Sequence, residues 1–246
     1  MTGDGSRESE GVQKMDAGGM GRATREGSVA DERLPGGIDG RDRPYPIERD
    51  IEAYRPFNEQ ERVDRQVILE RLRVDPDPFA RTSIAHMACS IWTVDPTLTR
   101  TLLVYHNIYD SWSWIGGHAD GERDLAAVAL RELGEETSVT DARLVGLPAG
   151  GIYSLEVLTV NGHEKRGVYV GSHLHLNVTY LAVASPDAPI RPKPDENSGV
   201  RWAGIDEVIG LSTEPWIRTR IYRKLIDKLA AVDGELIARA ARGLRG

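Results

Sequence analysis

Residues 116–139, GGHADGERDLAAVALRELGEETSV, constrain the chain more tightly than any other stretch: a glycine loop runs straight into a helix with three crowded carboxylates. Side chains three and four apart on a helix share a face, which gathers Glu132, Glu135 and Glu136 within about one turn. Beside that arc lies an apolar one of Ala126, Ala129, Leu130 and Leu133, so the carboxylates sit at the edge of a packed core. Each like-charged pair costs on the order of 0.2–0.5 kcal/mol even on an exposed helix, and more near a core. Arg131 alone offsets three anions only in part. A hard divalent cation would offset them better, because Mg²⁺ uses a few carboxylates together with substrate phosphates. A solvated acidic face is the competing reading, and the glycine loop ahead of the helix weighs against it, since its backbone can approach a ligand closely.

Around this helix the sequence reads as one α/β domain. Residues 58–73 repeat apolar positions at helical spacing, with Asn58 available as N-cap and Glu61 three residues on. Asp75–Pro76–Asp77–Pro78 stops that helix, and residues 83–94 and 100–107 read as a strand hairpin. Further strands are expected over 142–147, 151–160, 173–184 and 200–205, and one long amphipathic helix over 214–243. Residues 1–45 carry too few branched apolar and aromatic side chains to offset their ordering entropy and read as a disordered tail. The domain is then 46–246, with a core of about 82–210. A single cysteine, Cys89, excludes a disulfide framework and reads as a buried thiol. The net charge of −7 speaks against a general nucleic-acid binder. With no long apolar run and no leader-like segment, the expectation is a cytoplasmic protein without membrane contact.

The helix and its loop resemble the signature box of the Nudix hydrolases. Arg131-Glu132-Leu133-Gly134-Glu135-Glu136-Thr137-Ser138-Val139 follows the family pattern with one departure, Ser138 standing where glycine is usual. Gly117 is separated from Glu122 by four residues, and Glu122 from Arg131 by eight, so the loop spacing is locally shifted. The resemblance implies a Nudix fold, a mixed β-sheet sandwiched between helices, with an added N-terminal helix and a long C-terminal helix. It also implies cleavage of a diphosphate linked to another moiety by a metal-activated water, with a small-molecule diphosphate as substrate and Mg²⁺ or Mn²⁺ as cofactor. Glu132, Glu135 and Glu136 would hold the metal, one of them taking a proton from water. An ion pair of Arg131 with Glu122, or with Asp124, would pin the loop.

A further catalytic glutamate is expected from a loop outside the box. Glu196 in KPDENSG is preferred over Glu207, an acid that suits the first turn of a helix. Gly116, Gly117 and His118 are candidates for phosphate contact. His173 and His175 alternate on a strand and so share one side, with Asn177 beside them. Paired histidines could bind Zn²⁺, but with no third ligand evident the pair reads as lining of a substrate cleft, or equally as plain strand surface. Trp112 and Trp114 would pack, or stack on a base. Two other functions stay open: a ligand-sensing Nudix domain without turnover, and an isopentenyl-diphosphate isomerase, whose loop cysteine is missing from YDSWSWIGGH. A homodimer is compatible with all of these.

Overall fold

In the structure, a computed structural model, residues 45–165, 167–242 and 244 are described. The expectation of a disordered tail falls, Tyr45 apart, outside the described residues. Two helices come first. Pro46, whose fixed φ suits a first helical position, opens α1 (Pro46–Ala53), an element with no expectation from the sequence. Asn58 then caps α2 (Glu59–Val74), its side chain accepting the Glu61 N–H at 3.0 Å.

Among the described residues ten strands follow: β1 (Ala85–Val94), β2 (Arg100–His106), β3 (Ser111–Ser113), β4 (Ile115–His118), β5 (Arg143–Leu144), β6 (Ile152–Val160), β7 (His163–Lys165), β8 (Val168–Val170), β9 (His173–Val183) and β10 (Asn197–Gly204). Eight of them build one mixed sheet ordered β10-β2-β1-β9-β5, with β3 on β2, β4 on β1 and β6 on β9; β7 and β8 pair separately. β1 and β9 run parallel through ten paired residues, Ala85 opposite Leu174 to Val94 opposite Val183. Every residue of β1 is buried, as a central strand covered on both faces requires.

One core cluster joins Met87, Cys89, Ile91, Leu176, Val178 and Tyr180 of the sheet to α1, α2 and α3 (Leu125–Thr137). The other joins Trp92, Val94, Leu181 and Val183 to α4 (Val208–Leu211), α5 (Arg223–Leu229) and α6 (Gly234–Ala241). The single long C-terminal helix expected over 214–243 is interrupted. A π-helical stretch, Ile217–Tyr222, leads into α5, which ends at Leu229, and Asp233 then caps α6 by accepting the Glu235 N–H at 2.8 Å. Asp and Gly at a helix start compete with continuation, and periodicity alone does not register that. Strand β5 covers only two of the six residues expected. No helix among the described residues is long and apolar enough to cross a membrane.

Four charged side chains lie buried where α2, α5 and β6 meet. Lys224 of α5 reaches Glu156 of β6 at 2.8 Å, and Lys228 reaches Glu61 of α2 at 2.7 Å. Both glutamates are fully buried. Glu61 also accepts from Tyr54, the Phe57 N–H and Ser154, and Glu156 from Asn177 and Thr179, so two anions and two cations close a satisfied network that ties α2 and α5 to β6.

Candidate active site

Helix α3 begins at Asp124, whose carboxylate accepts the Ala127 N–H at 3.0 Å. Leu125, Val128, Ala129 and Leu133 are buried beneath it. That packing turns Glu136 inward, to 5% exposure, and sets Glu132 at the rim, while Glu135 stays exposed. The preceding β4 lies against β1, Gly116 opposite Ser90 and Gly117 opposite Cys89. A Cβ on Gly117 would stand 2.5 Å from the Glu132 carboxyl carbon, and one on Gly116 2.5 Å from the Cys89 carbonyl oxygen. Only glycine at 117 lets Glu132 lie against this backbone, and only glycine at 116 lets β4 lie this close to β1. The Gly116 N–H hydrogen-bonds Glu136.

Glu132, Glu136 and Glu196 each offer an oxygen within 4.8 Å of the others. Burial first, and then the charges of Glu132 and Glu196, push the Glu136 carboxyl up to about 8, against the Gly116 amide and Lys193. Glu132 is raised as well, by burial and then by Glu135, with Arg131 opposing. Such crowding favours a bound cation. Glu135 stands outside this trio, facing Arg131 at 3.8 Å and Lys193 at 3.2 Å. Arg131 lies beside Glu132 at 3.6 Å and Glu135; Glu122 feels its charge, but accepts the N–H groups of Arg123 at 2.7 Å and Asp124 at 3.1 Å. Glu207 lies elsewhere, paired with Arg201 and accepting the Gly204 N–H, both at 3.0 Å.

The Glu196 loop is tied down rather than loose. The Arg191 N–H reaches the Thr137 carbonyl at 2.9 Å. Fully buried Asn197 donates to the Glu136 carbonyl at 3.2 Å and accepts the Lys193 N–H at 3.1 Å. Lys193 in turn sits 3.2 Å from Glu196. The contacts of Lys193 with Glu135 and of Asn197 with the Glu136 carbonyl carry no sequence signal, since they join residues about sixty positions apart. Arg81, paired with Asp120 at 2.6 Å, contributes charge felt by both Glu132 and Glu196.

His118, His173 and His175 do not join the carboxylates. His118 is opposite Ala88, while Gly117, one residue earlier, faces Glu132; alternation along a strand therefore sends the His118 ring to the other face. There it meets His86, His173 and His175. Burial first, then His118, His86 and His173, push the His175 imidazole down to about 2. Trp112 packs edge-on against Tyr105 with the Arg201 guanidinium over its ring, and Trp114 packs edge-on against Tyr222. Cys89 is buried, and burial, followed by Glu132, pushes its thiol up to about 12.

The model of the NUDIX domain family matches residues 85–227, which span β1 through most of α5 and hold the glycine loop, the three carboxylates and the loop between β9 and β10. This chain belongs to that family. Its Nudix fold has solved counterparts at low identity. An Ap4A hydrolase from C. elegans is 17% identical, with 59% of this chain and 95% of that one covered and a TM-score of 0.39. A NUDIX-family hydrolase from Clostridium perfringens is 16% identical (58% and 97% covered, TM-score 0.43). The E. coli dihydroneopterin triphosphate pyrophosphohydrolase is 12% identical (57% and 94% covered, TM-score 0.42). No curated protein matches the sequence. The family assignment rests on the domain match.

The family departure at Ser138 has a local cost. Ser138 closes α3 in the left-handed region, φ 67°, its N–H on the Gly134 carbonyl. A left-handed L-residue costs about 1–2 kcal/mol, of which glycine's extra unfolded-state freedom returns about 0.5–1. Ser138→Gly is therefore expected to stabilise the Nudix domain by about 0.5–1 kcal/mol, read as a rise in melting temperature; a fall would contradict this account of the cap.

Proposed function

We propose that this Nudix protein is a Mg²⁺-dependent hydrolase, with Mn²⁺ as a substitute, of a small molecule in which a nucleoside diphosphate is linked to another moiety. The observation that carries the reading is the convergence of Glu132, Glu136 and Glu196 within 4.8 Å beside the Gly116–Gly117 backbone. Three carboxylates, one deeply buried, fit a hard divalent cation. When bound, such a cation supplies positive charge against non-bridging phosphoryl oxygens and acidifies a water nucleophile.

The chain's own residues do the rest. Glu132 and Glu136 would hold the cation from α3, and Glu135, exposed and shared between Arg131 and Lys193, would support them from the helix edge. Glu196, held in place by Lys193 and the Asn197 anchor, takes the proton as water attacks phosphorus and the bond to the leaving phosphate breaks. Arg81 and Lys193 present the cations that meet phosphate oxygens, and Gly117, without a Cβ, lets Glu132 lie against the β4 backbone. Arg131 orders the box glutamates on its side, with Glu122 stabilising the start of α3.

All three box glutamates are present, which favours an enzyme over a ligand sensor. The buried, high-pKa Cys89 thiol disfavours a cysteine-dependent isomerase.

With a diphosphate library and Mg²⁺, product release is expected from at least one nucleoside diphosphate derivative. On that substrate Glu196→Gln should lower kcat on the order of 10²-fold, the low end of general-base contributions. Glu207→Gln, remote from the trio, should be nearly silent. A crippled Glu207→Gln, or two unimpaired variants, would remove Glu196 from the reaction.

A further inference from the structure

Four of the six histidines in the chain meet on the face of the sheet turned away from the box glutamates. His86 comes from β1, His118 from the end of β4, and His173 and His175 from the start of β9. His86 stands opposite His175 in the parallel pair, and all six ring-to-ring distances fall between 4.7 and 6.4 Å. Each ring offers a nitrogen within 4.8 Å of the other three.

The hydrogen bonds on the far sides of two rings fix which nitrogen faces inward. His86 Nδ1 meets the Ser83 carbonyl at 2.7 Å and His173 Nδ1 meets the Gly171 carbonyl at 2.8 Å. A carbonyl only accepts, so both Nδ1 atoms carry hydrogen and both Nε2 atoms of the neutral rings carry lone pairs. This is the arrangement by which carbonyls orient histidine ligands toward a metal. His175 Nε2 lies 3.2 Å from His173 Nε2 and 3.1 Å from His118 Nε2. One proton on His175 can serve only one of those neighbours. His86, only 2% exposed, has an Nε2 with no hydrogen-bond partner at all. A buried lone pair without a partner is costly, and a cation among the four rings would satisfy that of His86.

We infer that His86, His118, His173 and His175 form a tetrahedral site for a borderline divalent transition ion, Zn²⁺ above all. Four imidazole nitrogens suit Zn²⁺ and not Mg²⁺, which requires oxygen donors. Nitrogens 2.0–2.1 Å from a tetrahedral ion are roughly 3.3 Å apart, close to the two short separations here. The site is closed, with four protein ligands, which is the pattern of structural rather than catalytic zinc. Because His118 immediately follows Gly117, an ion held there fastens the glycine loop to β1 and β9 from behind.

The test uses the full chain stripped with a chelator and titrated with Co²⁺, followed by Zn²⁺, in the wild type and in Glu136→Gln so that binding at the carboxylates is separated. One equivalent of Co²⁺ should give the intense visible bands of a tetrahedral nitrogen site, unchanged in Glu136→Gln and quenched by Zn²⁺. His173→Ala, at the least crowded ligand, should keep its far-ultraviolet circular dichroism and lose affinity by about 100-fold or more, at or beyond the upper end of what loss of a ligand-orienting group costs. His106→Ala, outside the cluster, should bind as the wild type does. Only the faint bands of a six-coordinate oxygen site, or a spectrum and affinity untouched by His173→Ala, would overturn the inference.

Discussion

Glu136→Gln is expected to abolish divalent-metal-dependent hydrolysis while the domain stays folded. Glutamine keeps an oxygen that accepts the Gly116 N–H, so the contact between α3 and β4 survives. What it loses is a carboxylate in a trio whose oxygens lie within 4.8 Å of one another. Turnover should fall by more than about 100-fold, beyond the range typical of groups that merely orient a metal ligand. Without added metal the variant should melt at or above the wild-type temperature, because the carboxyl that burial and its neighbours push up to about 8 is gone. Assay of both proteins on one diphosphate substrate with Mg²⁺, beside a thermal melt, checks both halves. Turnover within about tenfold of the wild type would dismiss the box as the metal site.

Lys224→Met is expected to be the most destabilising single change in the buried charge network. It removes the ammonium that Glu156 meets at 2.8 Å and leaves that fully buried carboxylate without its cation. Breaking a buried pair by taking one partner costs about 3–5 kcal/mol. For a domain of this size that lowers the melting temperature on the order of 10 °C. Lys224→Met with Glu156→Met should regain a large part of the loss, since an uncompensated charge, rather than a missing attraction, causes it. Urea unfolding of the single and double variants measures this; a double variant no better than the single would refute it.

The same network sets a pH dependence. Burial alone would raise the Glu61 carboxyl, but the ammonium groups of Lys228 and Lys224 and the Phe57 amide hold it below the ordinary carboxylate value. A carboxyl lower in the folded than in the unfolded chain stabilises fully above the unfolded value. That contribution is lost as pH falls through the folded value. Acid unfolding at pH below about 4.5 should therefore release α2 from β6, followed through the Glu61→Gln variant, whose melting temperature should depend less steeply on pH there.

What a residue does with neighbours three or four positions away was written in the sequence. The carboxylate arc of α3, the Asn58 cap and the glycine at 117 that admits Glu132 are local consequences of helical period and a missing Cβ atom, and they suffice to identify the box. Strand positions were legible for the same reason, though β5 shrank to the two residues that pair in register with β9. The helix over 214–243 failed at Asp233–Gly234, where a local cap outweighed the apolar period. The companions of each site lie beyond any local rule. His86 meets His175 only because β1 and β9 pair in parallel across the sheet, and His118 joins them only through the register of β4 on β1. Lys193 and Asn197 reach the box glutamates through a loop folded back onto the end of α3, and Lys224 finds Glu156 when α5 closes over β6. Periodicity fixes which face a side chain takes on its own element, whereas strand register and the packing of distant segments decide what stands opposite it.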